Sequence, residues 1–172
     1  PYRGYHSPMK RRLPYLILLA LAWCAGPSWA QPLRGVVWTP PAQQQVAKAD
    51  LLLMKQAGVE AVRTPLLRNE ALYRLADSLG LVLFQDLPFS YMPAAELQDT
   101  IQYAGQVIQE ALWWAEQHVS VRYFGLVRHA DTSDPAVCPL LEHLAAQVRQ
   151  GNVAGARVYY STAFMEDDQC VP

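Results

Sequence analysis

Hydrophobic and polar positions alternate along this chain in two rhythms. Short apolar runs stand at 34–38 (RGVVW), 60–64 (EAVRT), 81–86 (LVLFQD), 121–127 and 156–161. Between them lie longer segments, at 42–57, 69–79, 96–119 and 140–148, whose apolar residues recur at helical spacing. The first helical segment places Val46, Ala49, Leu53 and Ala57 on one stripe, which predicts its buried face. Punctuation agrees with the rhythm. Gly58 and Gly80 follow the first two helices, Asn69 stands where an N-cap is wanted, and Pro65 and Pro88 follow strands. Short apolar runs alternating with helices predict βαβ units in a parallel sheet, each crossover right-handed.

Five strands and four helices in strict alternation fit two architectures. One is an open doubly wound sheet, and the other is the first part of a (β/α)8 TIM barrel, which takes ~250 residues when complete. Neither a Walker A motif nor GxGxxG follows the first strand, so nucleotide-binding open sheets lose support. Gly125, inside the fourth strand, marks a close backbone approach or a barrel corner. In the third helix Trp113 and Trp114 are adjacent, and at least one is expected in the core.

The chain has 172 residues, a net charge of −1 and 52% hydrophobic residues. That supports one domain with its own core and gives no electrostatic case for nucleic acid. The N-terminus reads separately. Residues 1–8 look like upstream sequence ahead of a natural start at Met9. MKRR (9–12), the apolar run 13–25 and Ser28-Trp29-Ala30 have the layout of a signal peptide over 9–30, cut after Ala30. Its apolar run is shorter than the ~20 residues of a spanning helix. The alternative is a membrane anchor over residues 13–30. The expectation is an exported domain, periplasmic or extracellular, over 31–172. Cys24 would leave with the signal peptide, and Cys138 and Cys170 can pair in an oxidising compartment. Without CxxC spacing they are not a metal site, and no cofactor is expected.

DLLLMKQAGVEAVRTPLLRNEALYRLADSLGLVLFQD (50–86) resembles the opening of the catalytic barrel of family 2 glycoside hydrolases, the β-galactosidase, β-glucuronidase and β-mannosidase group. Leu53-Met54-Lys55, Ala61-Val62-Arg63-Thr64, Tyr73, Asp77, Gly80 and Asp86 stand in the family's places. His118-Val119-Ser120-Val121 resembles the family's entry into strand four. The resemblance covers about residues 34–130 and implies the N-terminal part of a TIM barrel. The departures bear on chemistry. The family's Gly-Asn-Glu, which carries the general acid/base, falls on Val127, Arg128 and His129. The family's nucleophile lies on strand seven, whereas this chain reaches about five strands. Thr39 stands near the place of a family His. Retaining hydrolysis needs two carboxyl groups ~5 Å apart across the sugar, so the expectation is an incomplete or inactive glycosidase-like unit.

The candidate residues follow. Asp86, at the end of the third strand, is the acid best placed on the catalytic face. His129 is a second catalytic candidate, since imidazole can donate a proton near neutral pH; its bland reading is an exposed loop His. Asp131 and Asp134 read as solvated loop acids. Arg63 is expected to pair with Asp86 or with a group beyond the present C-terminus, either to hold a site or only to tie two strands together. Trp38, Phe89, Tyr91 and Tyr160 near strand ends suit stacking on sugar C–H faces, although strand-end aromatics are more often packing residues. Arg128 joins them as a substrate-binding candidate. The partners expected are a carbohydrate and a further part that completes the barrel. Two alternatives stand beside this reading. One is a non-catalytic glycan-binding or membrane-associated scaffold module, and the other is an active O-glycosyl hydrolase with rearranged carboxylates.

Overall fold

In the computed structural model, residues 32–90, 94–162 and 170 are described. The expected signal peptide and its upstream residues, and Tyr91, lie outside them. The elements run β1 (Gly35–Val37), α1 (Gln44–Gln56), β2 (Ala61–Pro65), α2 (Glu70–Leu79), β3 (Val82–Asp86), α3 (Ala94–Gln117), β4 (Val121–Gly125), α4 (Val137–Gln150) and β5 (Arg157–Tyr159). The strands form one sheet in sequence order, β1-β2-β3-β4-β5, and each pairing is parallel. Five parallel strands alternating with four helices, ordered as in the sequence without a reversal, make the partial barrel rather than the doubly wound sheet, the two architectures that the pattern allows.

Local chemistry sets the boundaries. Asn69 accepts the Ala71 N–H at 3.1 Å and starts α2, and Gly80 ends it in the left-handed conformation (φ 61°, ψ 37°). Asp134 accepts the Ala136 N–H at 2.9 Å, and α4 begins at Val137, earlier than the periodicity suggests. β4 ends at Gly125 rather than Val127. Beyond it the pairing continues as single bridges, Ser90 with Arg128 and Ala130 with Thr162. Among the described residues no helix is long and apolar enough to cross a membrane.

The core lies on one face of the sheet. Val62, Leu83, Val121 and Phe124 from the strands pack there with Leu72 and Tyr73 of α2, Ile108 of α3 and Leu144 of α4. Trp114 packs half-buried against that core, 4.8 Å from the Tyr73 ring, while Trp113 stays 53% exposed. α1 departs from its expected stripe. It buries Ala47 and Leu51 and leaves Val46 and Leu53 exposed, at 43% and 62%. Leu51, Leu52 and Leu53 are consecutive, so their spacing favours no face over another, and docking chose the face. Cys138 and Cys170 form a disulfide joining α4 to the chain after β5.

Candidate functional site

Parallel register brings four residues together at the carboxyl ends of the strands. Pro65 lies opposite Asp86, Asp86 opposite Gly125, and Gly125 opposite Tyr159. Arg63, two residues before Pro65, projects from the same sheet face as Asp86. Its Nε donates to both Asp86 carboxylate oxygens at 3.0 Å. The Tyr159 hydroxyl donates to Asp86 Oδ1 at 2.7 Å, and the Arg63 guanidinium stands 5.3 Å from the centre of the Tyr159 ring. Asp86 is buried, whereas the Arg63 side chain keeps 31% of its exposure. The cluster thus has a sequestered anion and a cation at its open side.

Gly125 makes the cluster possible. A Cβ at that position would sit 2.4 Å from Asp86 Oδ1 and 2.8 Å from the Tyr159 ring. Only a residue without a side chain lets the carboxylate and the phenol meet across β4. The same sheet face also stacks Phe84 on Tyr123, with ring centres 3.9 Å apart.

Protonation states follow from these contacts. Burial raises the Tyr159 pKa most, and the hydrogen bond and negative charge of Asp86 raise it further, above the ordinary phenol range. For Arg63, burial acts to lower the pKa, but the hydrogen bond and charge of Asp86 outweigh it and hold the pKa above its ordinary value. A carboxylate that accepts from both a guanidinium and a phenol has its hydrogen-bonding capacity largely occupied within the protein. It is suited to positioning those two groups.

A cleft of about 260 Å³ adjoins this cluster, lined by Pro65, Leu66, Arg68, Asp86, Leu87, Pro88 and Arg128. Arg68 is ion-paired to Glu110 through Nε at 2.7 Å. Arg128 is exposed, and its backbone N–H donates to Phe89 O at 2.9 Å. The cleft and the cluster share Asp86.

The other candidates lie elsewhere. Trp38 is buried in the core, and its indole N–H donates to Asp50 of α1 at 3.1 Å. Phe89 is 1% exposed and meets the Tyr103 ring edge-on. Neither lines the cleft, because both rings turn toward helices, where burial releases more water. His129 is exposed with φ 55°, and its N–H donates to Ser161 Oγ at 3.1 Å. Asp131 accepts from Ser133, and Asp134 accepts from Ala136, so both organise their own turns. Sequence reading passed over Tyr159. The signal was available: the glycine within β4 implies that a neighbouring strand fills its space. Among the described residues no group of His, Cys, Asp and Glu is arranged to hold a metal ion.

At the amino ends of the strands a second aspartate does different work. Asp77, in α2, accepts from Ser120 N at 2.8 Å and meets His118 Nδ1 at 2.7 Å. His118 stacks on Tyr73 with ring centres 4.9 Å apart. Burial acts to raise the Asp77 pKa, but hydrogen bonds from Ser120 and His118 more than offset it and hold it below the usual carboxylate range. This clasp closes α2 onto the entrance of β4.

No family model and no curated protein sequence matches this chain. Solved structures do. A β-glucuronidase from an uncultured Clostridium species aligns over 76% of this chain, with a TM-score of 0.65 and 17% identity. A family 2 β-galacturonidase from Eisenbergiella tayi, bound to galacturonate, aligns over 80%, with a TM-score of 0.68 and 15% identity. A Ruminococcus gnavus β-glucuronidase in complex with D-glucaro 1,5-lactone aligns over 80%, with a TM-score of 0.69 and 17% identity. This chain spans about a quarter of each of those proteins, 26% in all three. The likeness is one of fold: the described residues have the architecture of part of a family 2 glycoside hydrolase barrel.

Proposed function

We propose that this chain is a carbohydrate-binding, glycoside-hydrolase-like barrel unit that favours sugars bearing a carboxylate and does not hydrolyse them by the family's two-carboxylate route. The observation that carries this reading is the state of Asp86. It is buried and accepts from Arg63 and Tyr159, which leaves it poorly placed to protonate a leaving group or attack an anomeric carbon. Position 129 offers an exposed imidazole where the resemblance wants a carboxylic acid. What remains suits recognition of an acidic sugar. Arg63, bonded through Nε to Asp86, keeps 31% of its side-chain exposure at the open side of the cluster, and Arg128 is an exposed cation on the adjoining cleft. Galacturonate and a glucaro-lactone occupy the two ligand-bound neighbours named above, which supports the same chemical class.

The further elements of the proposal are export and completion. The Cys138–Cys170 disulfide supports an oxidising compartment. Val37 of β1 is 79% exposed, and β1 and β5 each pair on one side, which supports a partner or a further stretch of chain that closes the sheet.

The test has two arms. Nitrophenyl β-glucuronide and β-galacturonide should be turned over at background rate by the full chain and by His129→Glu. Glucuronate and galacturonate should bind at millimolar concentration by NMR titration, several-fold more weakly to Arg128→Ala. Turnover that vanishes in Asp86→Asn would instead establish a hydrolase with rearranged acids. For export, the mature N-terminus should read Gln31 by mass spectrometry, and an intact Met9 would refute cleavage.

A further inference from the structure

A second surface, on the helical side of the sheet, has the chemistry of a sugar site. A groove of about 1050 Å³ runs between α3 and α4. On α3, Gln106, Gln109, Trp113 and Glu116 follow one another at spacings of three and four, so they share one helix face. From α4 and the turn after it come Gln147, Gln150 and Asn152. None of these residues belongs to the Arg63–Asp86–Tyr159 cluster or its cleft.

We propose that this groove binds an uncharged oligosaccharide, by stacking a pyranose ring on Trp113 and bonding its hydroxyls to the amide-bearing side chains. Three observations carry it. The first is Trp113 itself, a large apolar ring left 53% exposed beside polar neighbours. It is also held in place: it meets Trp114 edge-on with ring centres 4.6 Å apart, and Trp114 stacks on the Tyr73 ring of the core. A rigid indole costs little conformational entropy when a ligand covers it.

The second observation is the lining. Gln106, Gln109, Gln150 and Asn152 each carry a donor pair and an acceptor, and Gln147 adds a fifth amide to the lining. Sugar hydroxyls both donate and accept, so amides match them without regard to pH. Glu116 is the one ionisable side chain among the lining residues, and there is no cation to receive a carboxylate or a sulfate. That balance favours a neutral sugar and disfavours the acidic sugars proposed for the strand-end cleft. Gln147 is the least free of them: its Nε2 lies 3.0 Å from His143 Nε2, and its Oε1 is buried without a hydrogen-bond partner beside Gly105.

The third observation is that a glycine shapes the groove. At Gly151 a Cβ would approach Leu112 to 2.7 Å, so this residue lets the end of α4 come close to α3. Gly105 lines the groove beside Gln147, where a Cβ would make only an ordinary contact at 3.8 Å, so Gly151 is the glycine that the close approach requires. The resulting groove, at about 1050 Å³, is at the upper end of the volumes of ligand clefts, room for more than one sugar ring. Sugars with equatorial hydroxyls present flat C–H faces, which are the surfaces an indole covers.

The inference stands independently of the strand-end reading, and the experiment keeps the two apart. Cellohexaose and galacturonate are titrated separately into the ¹⁵N-labelled full chain, with the Trp113 indole N–H signal assigned from Trp113→Phe. The expected result is a saturable cellohexaose shift centred on Trp113, Gln109 and Gln150. Binding should weaken at least about tenfold in Trp113→Ala, the scale of loss typical for a central aromatic contact. It should be retained in Trp113→Phe and unchanged in Arg128→Ala. Galacturonate should leave the Trp113 signal in place. Absence of a saturable shift with cellohexaose, in chain whose circular dichroism shows it folded, overturns the proposal. So does cellohexaose binding that survives Trp113→Ala. Either result leaves the strand-end site to stand or fall by its own titration.

Discussion

Two aspartates, at opposite ends of the same sheet, each accept from two partners. Asp86 sits at the carboxyl ends of the strands and joins β2, β3 and β5 across Gly125. Asp77 sits at the amino ends and joins a helix to the entry of β4. Asp77 is bound by a backbone N–H and a histidine stacked on the core, with both neighbours buried. Asp86 is bound by an arginine and a tyrosine, and the arginine keeps 31% of its exposure. The first arrangement spends its hydrogen bonds on closing the fold. The second holds a cation at an opening beside a cleft. Similar local chemistry therefore closes the fold at one end and, under the proposed function, serves ligand recognition at the other, and partner exposure separates them. The two ends of parallel-stranded barrels divide in this way in general.

Substitutions at three positions sharpen that comparison. The largest effect is expected from Gly125→Val. Its side chain would displace Asp86 or Tyr159 from contacts already closer than a Cβ tolerates. The expected loss is about 3 kcal/mol of unfolding free energy, the upper range for overpacking, together with loss of acidic-sugar binding. Urea denaturation and a galacturonate titration measure the two. A variant with unchanged midpoint and binding would show that the strand-end cluster is not set by β4.

Asp77→Ala comes next, at about 2 kcal/mol, because it leaves the buried Ser120 N–H and His118 without their acceptor. Sugar binding at both proposed sites should be retained. This pair also has a pH signature. The folded-state pKa of Asp77 lies below its unfolded value near 3.8, so its ionisation stabilises the fold above that value. The contribution is lost as pH falls through the lower, folded pKa. Asp77→Asn should therefore flatten the fall of stability below about pH 4 and leave neutral-pH binding alone. An equally steep acid limb in wild type and variant would refute this assignment.

The smallest effect is expected from Tyr159→Phe, at about 1 kcal/mol, since Arg63 continues to neutralise Asp86. Binding of galacturonate should drop more than stability does. Equal effects on both would mean that Tyr159 serves the fold in the same way as the Asp77 clasp.

The order of elements was legible in the sequence because strands and helices impose different periods, and because Asn69, Gly58 and Gly80 act on their immediate neighbours. The Arg63–Asp86 pair was legible too. Arg63 lies near the end of β2 and Asp86 ends β3, in adjacent βα units, and opposite charges so placed neutralise each other. Other features were decided only in three dimensions. The buried face of α1 depends on which of three consecutive leucines meets the sheet, and periodicity is silent there. Trp38 and Phe89 stand at strand ends, as ligand-stacking residues do, but their rings turn into the core, where more apolar surface leaves water. Tyr159 reaches Asp86 because β4 contributes no side chain at Gly125. The groove of Trp113 and its amide neighbours exists because α3 and α4, separate in sequence, pack side by side, with Gly151 brought against Leu112. Sequence patterns specify what each segment does to its near neighbours. Which side chains meet across segments is fixed by sheet register and helix packing, the work of the whole chain.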